Sequence, residues 1–179
     1  MSSVAFDHAV AGYGALEAAL DKLDAVDVEG LSTRECRDLL QRRQRVRRRL
    51  LAGDYPLINR LAQGASAEEL GGKLSHVLAD DLRIYRRDAL RLVEEATDLG
   101  PRRALIGEPL APRLEYTAAG QREGRVGAEH VRIIRTFLAH LPCWVDEAKR
   151  ADAERIWPKP PAGTDPINSS SWPITSTCV

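Results

Sequence analysis

Arginine is the residue type whose spacing in this 179-residue chain most clearly indicates chemistry. Residues 34–49 hold eight arginines against Glu35 and Asp38, a local charge of +6. Such a density of guanidinium groups suits contact with nucleic-acid phosphates, because neutralised phosphates release their counterions. The alternative is a solvated helix face that pairs with the acidic residues 1–33, whose local charge is −5. Both interpretations stay open. The first predicts DNA contacts from Arg42, Arg45 and Arg49.

A second set of arginines falls in residues 78–92, where the sequence fits a helix-turn-helix. Ala79 is the small residue that allows two helices to cross closely, and Leu82 and Ile84 flank the turn as an apolar pair. Arg83 occupies the turn position that prefers glycine, which departs from the pattern. The predicted groove-facing arginines at the start and on the outward face of the second helix are Arg83, Arg86, Arg87 and Arg91. A plain hairpin of two amphipathic helices gives the same pattern and is the alternative.

Residues that often catalyse reactions do not combine in this sequence. The four histidines are His8, His76, His130 and His140. No two of them are spaced i, i+4, and no cysteine or acidic cluster completes a zinc or nuclease site. The glycine-rich phosphate loops and the Gly-x-Ser-x-Gly elbow of hydrolases are also missing. The chain is therefore predicted not to be an enzyme, with no metal, cofactor or small-molecule substrate.

The elements that must position the arginines are predicted to be helices. Aromatic residues are only 5% of the chain, and no strand-like alternation of convincing length appears. Ser-x-x-Glu capping boxes at Ser32 and Ser66 begin two helices, and Leu70, Leu74, Val77 and Leu78 give the second helix its buried side. Gly53 and Pro56 predict a kink or short break in the first of them. One apolar stripe is expected along that helix: Cys36, Leu39, Leu40, Val46, Leu50, Leu57, Ile58 and Leu61.

Glycine and proline residues mark the ends of the other helices, and the whole pattern predicts an all-α fold with long helical hairpins. Gly30 is expected to end a first, acidic helix. Gly100 is expected to take a left-handed cap before Pro101 ends the helix of about residues 86–97. An irregular connector over 100–113 precedes helices at about 114–123, 128–141 and 144–156. Val131, Ile134, Leu138 and Leu141 form a clean amphipathic stripe on one of these.

Domain organisation and location follow from composition. Residues 1–156 are predicted to form one helical domain, and the proline- and serine-rich residues 157–179 a disordered tail. The formal net charge is zero, which excludes a global electrostatic attraction to membranes or nucleic acid. Three scattered cysteines suit a reducing compartment, and no signal peptide or membrane helix is evident. The predicted location is the cytoplasm.

Several uncommon motifs occur in a fixed order between residues 10 and 155. They include Leu70–His76, Asp98–Leu105, Gly107–Leu110, Gly127–Arg135 and Leu141–Asp146. Together they resemble the actinobacterial 13E12 repeat family, whose N-terminal part is domain of unknown function 222. The resemblance implies a helical module without an assigned activity, linked to mobile elements and usually followed by an HNH nuclease domain. The family's catalytic residues lie in that downstream domain, so none is carried over to this chain.

Two departures from the family pattern bear on function. Tyr85 stands where relatives usually have a capping Ser or Thr, and tyrosine cannot cap the helix. After Arg155 the pattern stops, which suggests a frameshifted, truncated family member. The leading prediction is a non-catalytic, nuclease-associated helical module that binds DNA. The alternative is a structural or self-interacting module that forms a homo-oligomer.

Overall fold

The computed structural model describes residues 3–104 and 107–156, so the predicted tail at 157–179 lies outside the described residues. The helices, in chain order, are α1 Val4–Asp24, α2 Thr33–Gly64, α3 Ala67–Leu70, α4 Leu74–Asp81, α5 Arg86–Leu99, α6 Glu115–Arg122, α7 Ala128–Ala139 and α8 Glu147–Ile156. Two short strands, β1 Arg102–Arg103 and β2 Pro109–Leu110, pair antiparallel with Arg102 opposite Leu110. The all-α prediction is confirmed, with this two-residue ladder as the addition to the expected irregular connector.

The chain divides into two compact units, Met1–Arg42 and Arg43–Val179. In the first unit, the Ser3 hydroxyl caps α1 by accepting from the Phe6 N–H at 3.2 Å. The helix ends at Asp24 and not at Gly30, so it is shorter than the sequence predicts. No residue of α1 is buried. The capping box at Ser32 is confirmed, because Glu35 Oε2 accepts from the Ser32 N–H at 2.8 Å.

Helix α2 runs without interruption through Gly53 and Pro56, so of the predicted kink or short break, the break is wrong. An interior proline removes one backbone hydrogen bond and costs about 3 kcal/mol. Tyr55 and Ile58, on either side of Pro56, are fully buried in the second unit. Burial of these two side chains offsets that cost, since each large apolar group contributes about 2 kcal/mol.

The predicted apolar stripe of α2 does not correspond to its buried face. Ile58 is the one member that is buried, and Tyr55, which the stripe omits, is buried with it. The stripe residues that remain exposed are Leu39, Leu40, Val46, Leu50, Leu57 and Leu61. The second unit therefore packs against a different side of α2 from the one that apolar spacing indicates.

The second capping box is confirmed, but the helix it begins is shorter than predicted. Glu69 Oε2 accepts from the Ser66 N–H at 2.8 Å, and α3 ends at Leu70. Gly71 has φ 74°, a left-handed conformation that glycine adopts at little cost. This residue divides the expected single helix into α3 and α4.

Helix α5 ends at Leu99, as the Gly-Pro signal predicts, but for a different reason. Gly100 has φ −80° and is extended, so the expected left-handed cap is wrong. A Cβ at this position would lie 2.3 Å from Asn59 Nδ2 and 2.5 Å from the Ala96 carbonyl oxygen. Asn59 Nδ2 donates to that carbonyl at 2.7 Å. Glycine is required here because α2 and α5 approach closely.

The core of the second unit joins α2, α4, α5, α6 and α7. Its buried apolar residues are Tyr55, Ile58, Leu78, Ala79, Ala89, Ala96, Leu99, Ala118, Val126, Val131, Ile134 and Leu138. The predicted stripe of α7 is confirmed by the burial of Val131, Ile134 and Leu138. Helix α8 adds a polar tie, because the buried Glu154 Oε1 accepts from the Thr117 N–H at 2.7 Å in the first turn of α6.

Candidate nucleic-acid interface

The α4–α5 hairpin, residues Leu74–Leu99, has a closed turn built on a left-handed arginine. The Ile84 N–H donates to the Ala79 carbonyl at 3.0 Å, and the Arg83 N–H donates to the Asp80 carbonyl at 3.3 Å. These are the two bonds of a Schellman motif, in which the residue after the helix cap is usually glycine. Arg83 takes that position with φ 53°. This conformation agrees with the glycine preference predicted for the turn position of Arg83.

Packing of the hairpin follows the predicted pattern in part. Ala79 on α4 and Ala89 on α5 are fully buried, which permits the close crossing. Ile84 is half-buried against the same core, whereas Leu82 is 53% exposed. The apolar pair at the turn is therefore reduced to Ile84, which is the residue that the Schellman motif directs inward.

The start of α5 offers backbone donors without a side-chain cap. Tyr85 is the N-cap residue, it is 83% exposed, and its side chain makes no capping hydrogen bond. Its carbonyl accepts from the N–H groups of Asp88 and Ala89. Uncapped N–H groups and the helix dipole give this end of α5 a partial positive charge that favours anions.

The four predicted arginines of the hairpin are not equivalent. Arg83, Arg86 and Arg87 are exposed, and no ion pair involves them in the part of the chain that the structure describes. Arg91 instead contacts Asp88 at 3.2 Å and the buried Glu95 at 3.7 Å. Arg91 is thus tied to its own helix. The three others form the candidate site, called here the turn arginines.

Acidic side chains limit the positive charge of this hairpin. Asp80 and Asp81 lie exposed in the last turn of α4, directly before the turn. Between residues 80 and 91 the four arginines face three aspartates, a net charge of +1. The positive charge of the hairpin is therefore local. It is concentrated at the turn arginines, which follow the acidic last turn of α4 in the sequence.

The arginine block on α2 is divided among several structural roles. Arg42 Nε contacts Asp38 Oδ2 at 2.8 Å on its own helix. Arg45 Nε donates to the Glu123 carbonyl at 3.1 Å, and Arg48 donates to the carbonyls of Gly124 and Arg125 at 3.3 Å. Two arginines therefore hold the turn between α6 and α7. Arg49 is exposed, and no hydrogen bond or ion pair involves it among the described residues.

The alternative interpretation of the block expected ion pairs with the acidic N-terminal segment. Among the described residues of the first unit, no ion pair joins Glu17, Asp21 or Asp24 of α1 to Arg34, Arg37 or Arg42. Arg42 pairs instead with Asp38, four residues earlier. These three acidic residues and three arginines are all exposed.

Tyr55, Glu95 and Gln121 form a buried polar network that the sequence patterns did not predict. The Tyr55 hydroxyl donates to Glu95 Oε2 at 3.2 Å and accepts from Gln121 Nε2 at 3.1 Å. Burial raises the pKa of Glu95, although Tyr55, Arg91 and Arg135 favour its charged form. Burial also raises the pKa of the Tyr55 hydroxyl. Helical spacing could have predicted that Glu95 is buried, because it lies on α5 three residues after the half-buried Leu92 and four before the buried Leu99.

The polar groups beside α7 are paired with one another. Arg135 Nε contacts Asp98 Oδ2 at 2.8 Å, and its NH2 group lies 3.5 Å from Glu94. Arg135 and Asp98 border an open cleft whose other charged residues include Arg113 and Glu154. Glu154 caps α6 and Arg113 lies 3.7 Å from Asp98. The charges of the cleft therefore support the packing of α5, α6, α7 and α8.

Residues 3–104 and 107–156 contain no candidate metal site and no candidate membrane-spanning helix. No group of three or more His, Cys, Asp or Glu side chains is placed to hold a metal ion there. None of the described helices has both the length and the apolar character that a membrane crossing needs.

Comparison with known proteins identifies relatives without an assigned activity. The family model described as "Domain of unknown function (DUF222)" matches residues 37–159. The uncharacterized protein Rv3466 of Mycobacterium tuberculosis is 50% identical over 138 residues, which cover 77% of this chain and 62% of that protein. The uncharacterized protein Rv1702cMb1728c of the same species is 47% identical over 154 residues, covering 86% of this chain and 34% of the relative.

A third relative, the uncharacterized protein Mb1614c of Mycobacterium bovis, is 49% identical over 126 residues. These residues cover 70% of this chain and 57% of that protein. The chain thus spans from about a third to about three fifths of the length of these relatives. No solved structure matches the chain.

Proposed function

The chain belongs to the DUF222 family, and from this premise we propose that it is a non-catalytic cytoplasmic module that binds duplex DNA through the α4–α5 hairpin. The contacts are proposed to be with phosphates rather than with base edges. In longer members of the family, we propose that this helical module accompanies a nuclease domain. That part of the proposal is supported by the resemblance to 13E12 repeat proteins, whose helical region usually precedes an HNH domain.

The observation that carries the proposal is the state of the turn arginines. Arg83, Arg86 and Arg87 are exposed, close in sequence, and without carboxylate partners in the described structure. Long cationic side chains of this kind are available to phosphates at little desolvation cost. The uncapped start of α5 adds backbone donors at the same end of the helix.

The affinity of the hairpin for duplex DNA is expected to depend on the balance between its arginines and its aspartates. Three phosphate contacts give a slope of about −2.7 when the logarithm of affinity is plotted against that of salt concentration. Asp80 and Asp81 oppose the approach of a phosphate chain, so affinity should be modest and should fall steeply with salt. Sequence specificity is not required of such contacts.

The test is a salt titration of binding to a random duplex, followed by fluorescence anisotropy. The double variant Arg86→Ala, Arg87→Ala should reduce the salt slope by about 1.8, because each phosphate contact contributes about 0.9. The matched control, Arg60→Ala with Arg122→Ala, removes the same charge from exposed positions outside the hairpin. It should leave most of the slope intact.

A variant that is expected to bind DNA more strongly distinguishes the loss of a DNA contact from a general loss of structure. Asp80→Asn with Asp81→Asn takes away the two exposed carboxylates directly before the turn and should strengthen binding. Wild-type protein that ignores the duplex at low salt would refute the proposal. Equal slopes for the Arg86/Arg87 variant and the control would refute the hairpin as the contact.

The second candidate function is self-interaction, and a separate observation favours it. Helix α1 buries no residue although it carries several large apolar side chains. This surface does not include the α4–α5 hairpin, so the two functions are compatible.

A further inference from the structure

Helix α1 carries an exposed apolar stripe with a seven-residue period. The stripe residues are Phe6, Ala9, Tyr13, Leu16, Leu20 and Leu23, at alternating spacings of three and four. All of them are exposed except Leu16, which is half-buried. This spacing is the seam of a helix that packs on another long helix, as in a coiled coil.

An isolated helix of this length gains little stability in water. Helix α1 has 21 residues, and single helices of that size depend on packing of an amphipathic face. No residue of α1 is buried in the monomer. The helix therefore has a surface that needs a partner.

Helix α2 presents a second exposed stripe of similar length. Val46, Leu50, Leu57 and Leu61 are spaced by four, seven and four residues, and each is at least 39% exposed. From Arg43 to Leu61 the stripe extends about 27 Å, and the α1 stripe from Phe6 to Leu23 extends about 26 Å. At 3.6 residues per turn, the buried Tyr55 lies roughly opposite this stripe and the buried Ile58 about a quarter-turn from its centre, whereas the four stripe residues themselves are exposed.

The charges that flank the two stripes are opposite. Glu17 and Asp24 border the α1 stripe, and Arg43 and Arg47 border the α2 stripe. All four are exposed, and none takes part in an ion pair among the described residues. Flanking charges determine which helices pair, and like charges disfavour self-pairing of each stripe.

From this match of length, period and charge we propose that α1 of one copy packs on the Arg43–Leu61 face of α2 of a second copy. The closed form of this arrangement is a dimer with two equivalent contacts. Pairing of α1 with α1 would place acidic flanks together, and pairing of α2 with α2 would place arginines together. The mixed pairing alone brings opposite charges beside both apolar stripes. This inference does not depend on DNA binding.

The test uses charge reversal in two chains that are then mixed. The first chain carries Glu17→Arg and Asp24→Arg, and the second carries Arg43→Glu and Arg47→Glu. Each reversed residue is exposed, and Arg45 and Arg48, which hold the α6–α7 turn, are unchanged. Sedimentation equilibrium at low salt, without DNA, measures the dimer dissociation constant.

The wild-type chain should form dimers, and each reversed chain alone should dimerise at least about tenfold more weakly, because like charges then flank both stripes. An equimolar mixture of the two chains should recover the dimer, since opposite charges meet again. The control chain Asp27→Arg, Glu29→Arg changes charge in the connection between α1 and α2 and should dimerise like wild type.

Three results would overturn the inference. They are a wild-type chain that stays monomeric at every concentration, a mixture that does not recover the dimer, and reversed chains that dimerise as wild type does. Pairing of α1 with α2 inside one chain would appear as concentration-independent protection of α1 amides in a monomer, which is one form of the first result. The Arg86/Arg87 variant tests DNA binding separately, so either proposal can fail alone.

Discussion

Replacement of Arg83 by glycine should stabilise the protein while weakening its binding to DNA. Arg83 has φ 53°, and a non-glycine residue in this region costs about 1 to 2 kcal/mol. Glycine avoids that cost but adds about 0.4 to 1 kcal/mol of entropy to the unfolded chain. Relative to Arg83→Ala, which keeps the left-handed cost, Arg83→Gly should raise the free energy of unfolding by about 0.5 to 1 kcal/mol.

The assay compares urea denaturation of the glycine and alanine variants at Arg83 with the same pair at Arg87. Arg87 is an exposed helical position, where glycine is expected to be less stable than alanine by up to about 1 kcal/mol. The sign of the difference should therefore reverse between the two sites. An Arg83→Ala protein more stable than Arg83→Gly would refute the left-handed turn.

The same two Arg83 variants separate stability from the DNA contact. Both remove one guanidinium, so both should reduce the salt slope of binding by about 0.9. Stability and DNA affinity would then change in opposite directions for Arg83→Gly. A salt slope that stays at the wild-type value in both variants would exclude Arg83 from the contact.

Two other perturbations follow from the packing of the second unit. Gly124→Ala should destabilise the protein by about 2 kcal/mol or more, because Gly124 has φ 76° and a Cβ there would lie 2.5 Å from Arg45 Cγ. The control Gly53→Ala, in open space on α2, should be neutral or stabilising in the same urea denaturation. Equal effects at the two sites would contradict a close contact between Arg45 and Gly124. The raised pKa of Glu95 means that the folded state holds a proton that the unfolded chain has released, so the contribution of Glu95 to stability falls as pH rises from about 4 through that pKa. Glu95→Gln should flatten this part of the plot of unfolding free energy against pH, and an unchanged plot would show that Glu95 is not the titrating group.

Local signals in the sequence predicted the described helices well. The Ser32 and Ser66 capping boxes and the stripe of α7 all appear as expected, because each depends on residues within about one or two helical turns. The position of Arg83 in the turn was also predicted from local pattern. The left-handed backbone at Arg83 belongs to the Schellman motif that ends α4.

The errors concern interactions between residues distant in sequence. Continuity of α2 through Pro56 depends on the burial of Tyr55 against α5 and α6, which local propensity does not contain. Gly100 is small because Asn59, about forty residues earlier, donates across it to α5. In both cases tertiary packing decides a feature that the sequence assigns to backbone preference.

The two arginine sets show why charge density alone does not locate a binding surface. The α2 block has the higher density, yet Arg45 and Arg48 donate to backbone carbonyls of the α6–α7 turn, where Gly124 allows close approach. A guanidinium already bonded within the protein must give up or share those bonds before it contacts a phosphate. The turn arginines number fewer, but in the described structure no carboxylate holds them. Arg43, Arg47 and Arg49 of α2 are also exposed and have no ion pair among the described residues, but no uncapped helix start lies beside them. The coincidence of unpaired guanidinium groups with the uncapped backbone N–H groups of α5 is therefore the physical reason to place the DNA contact there.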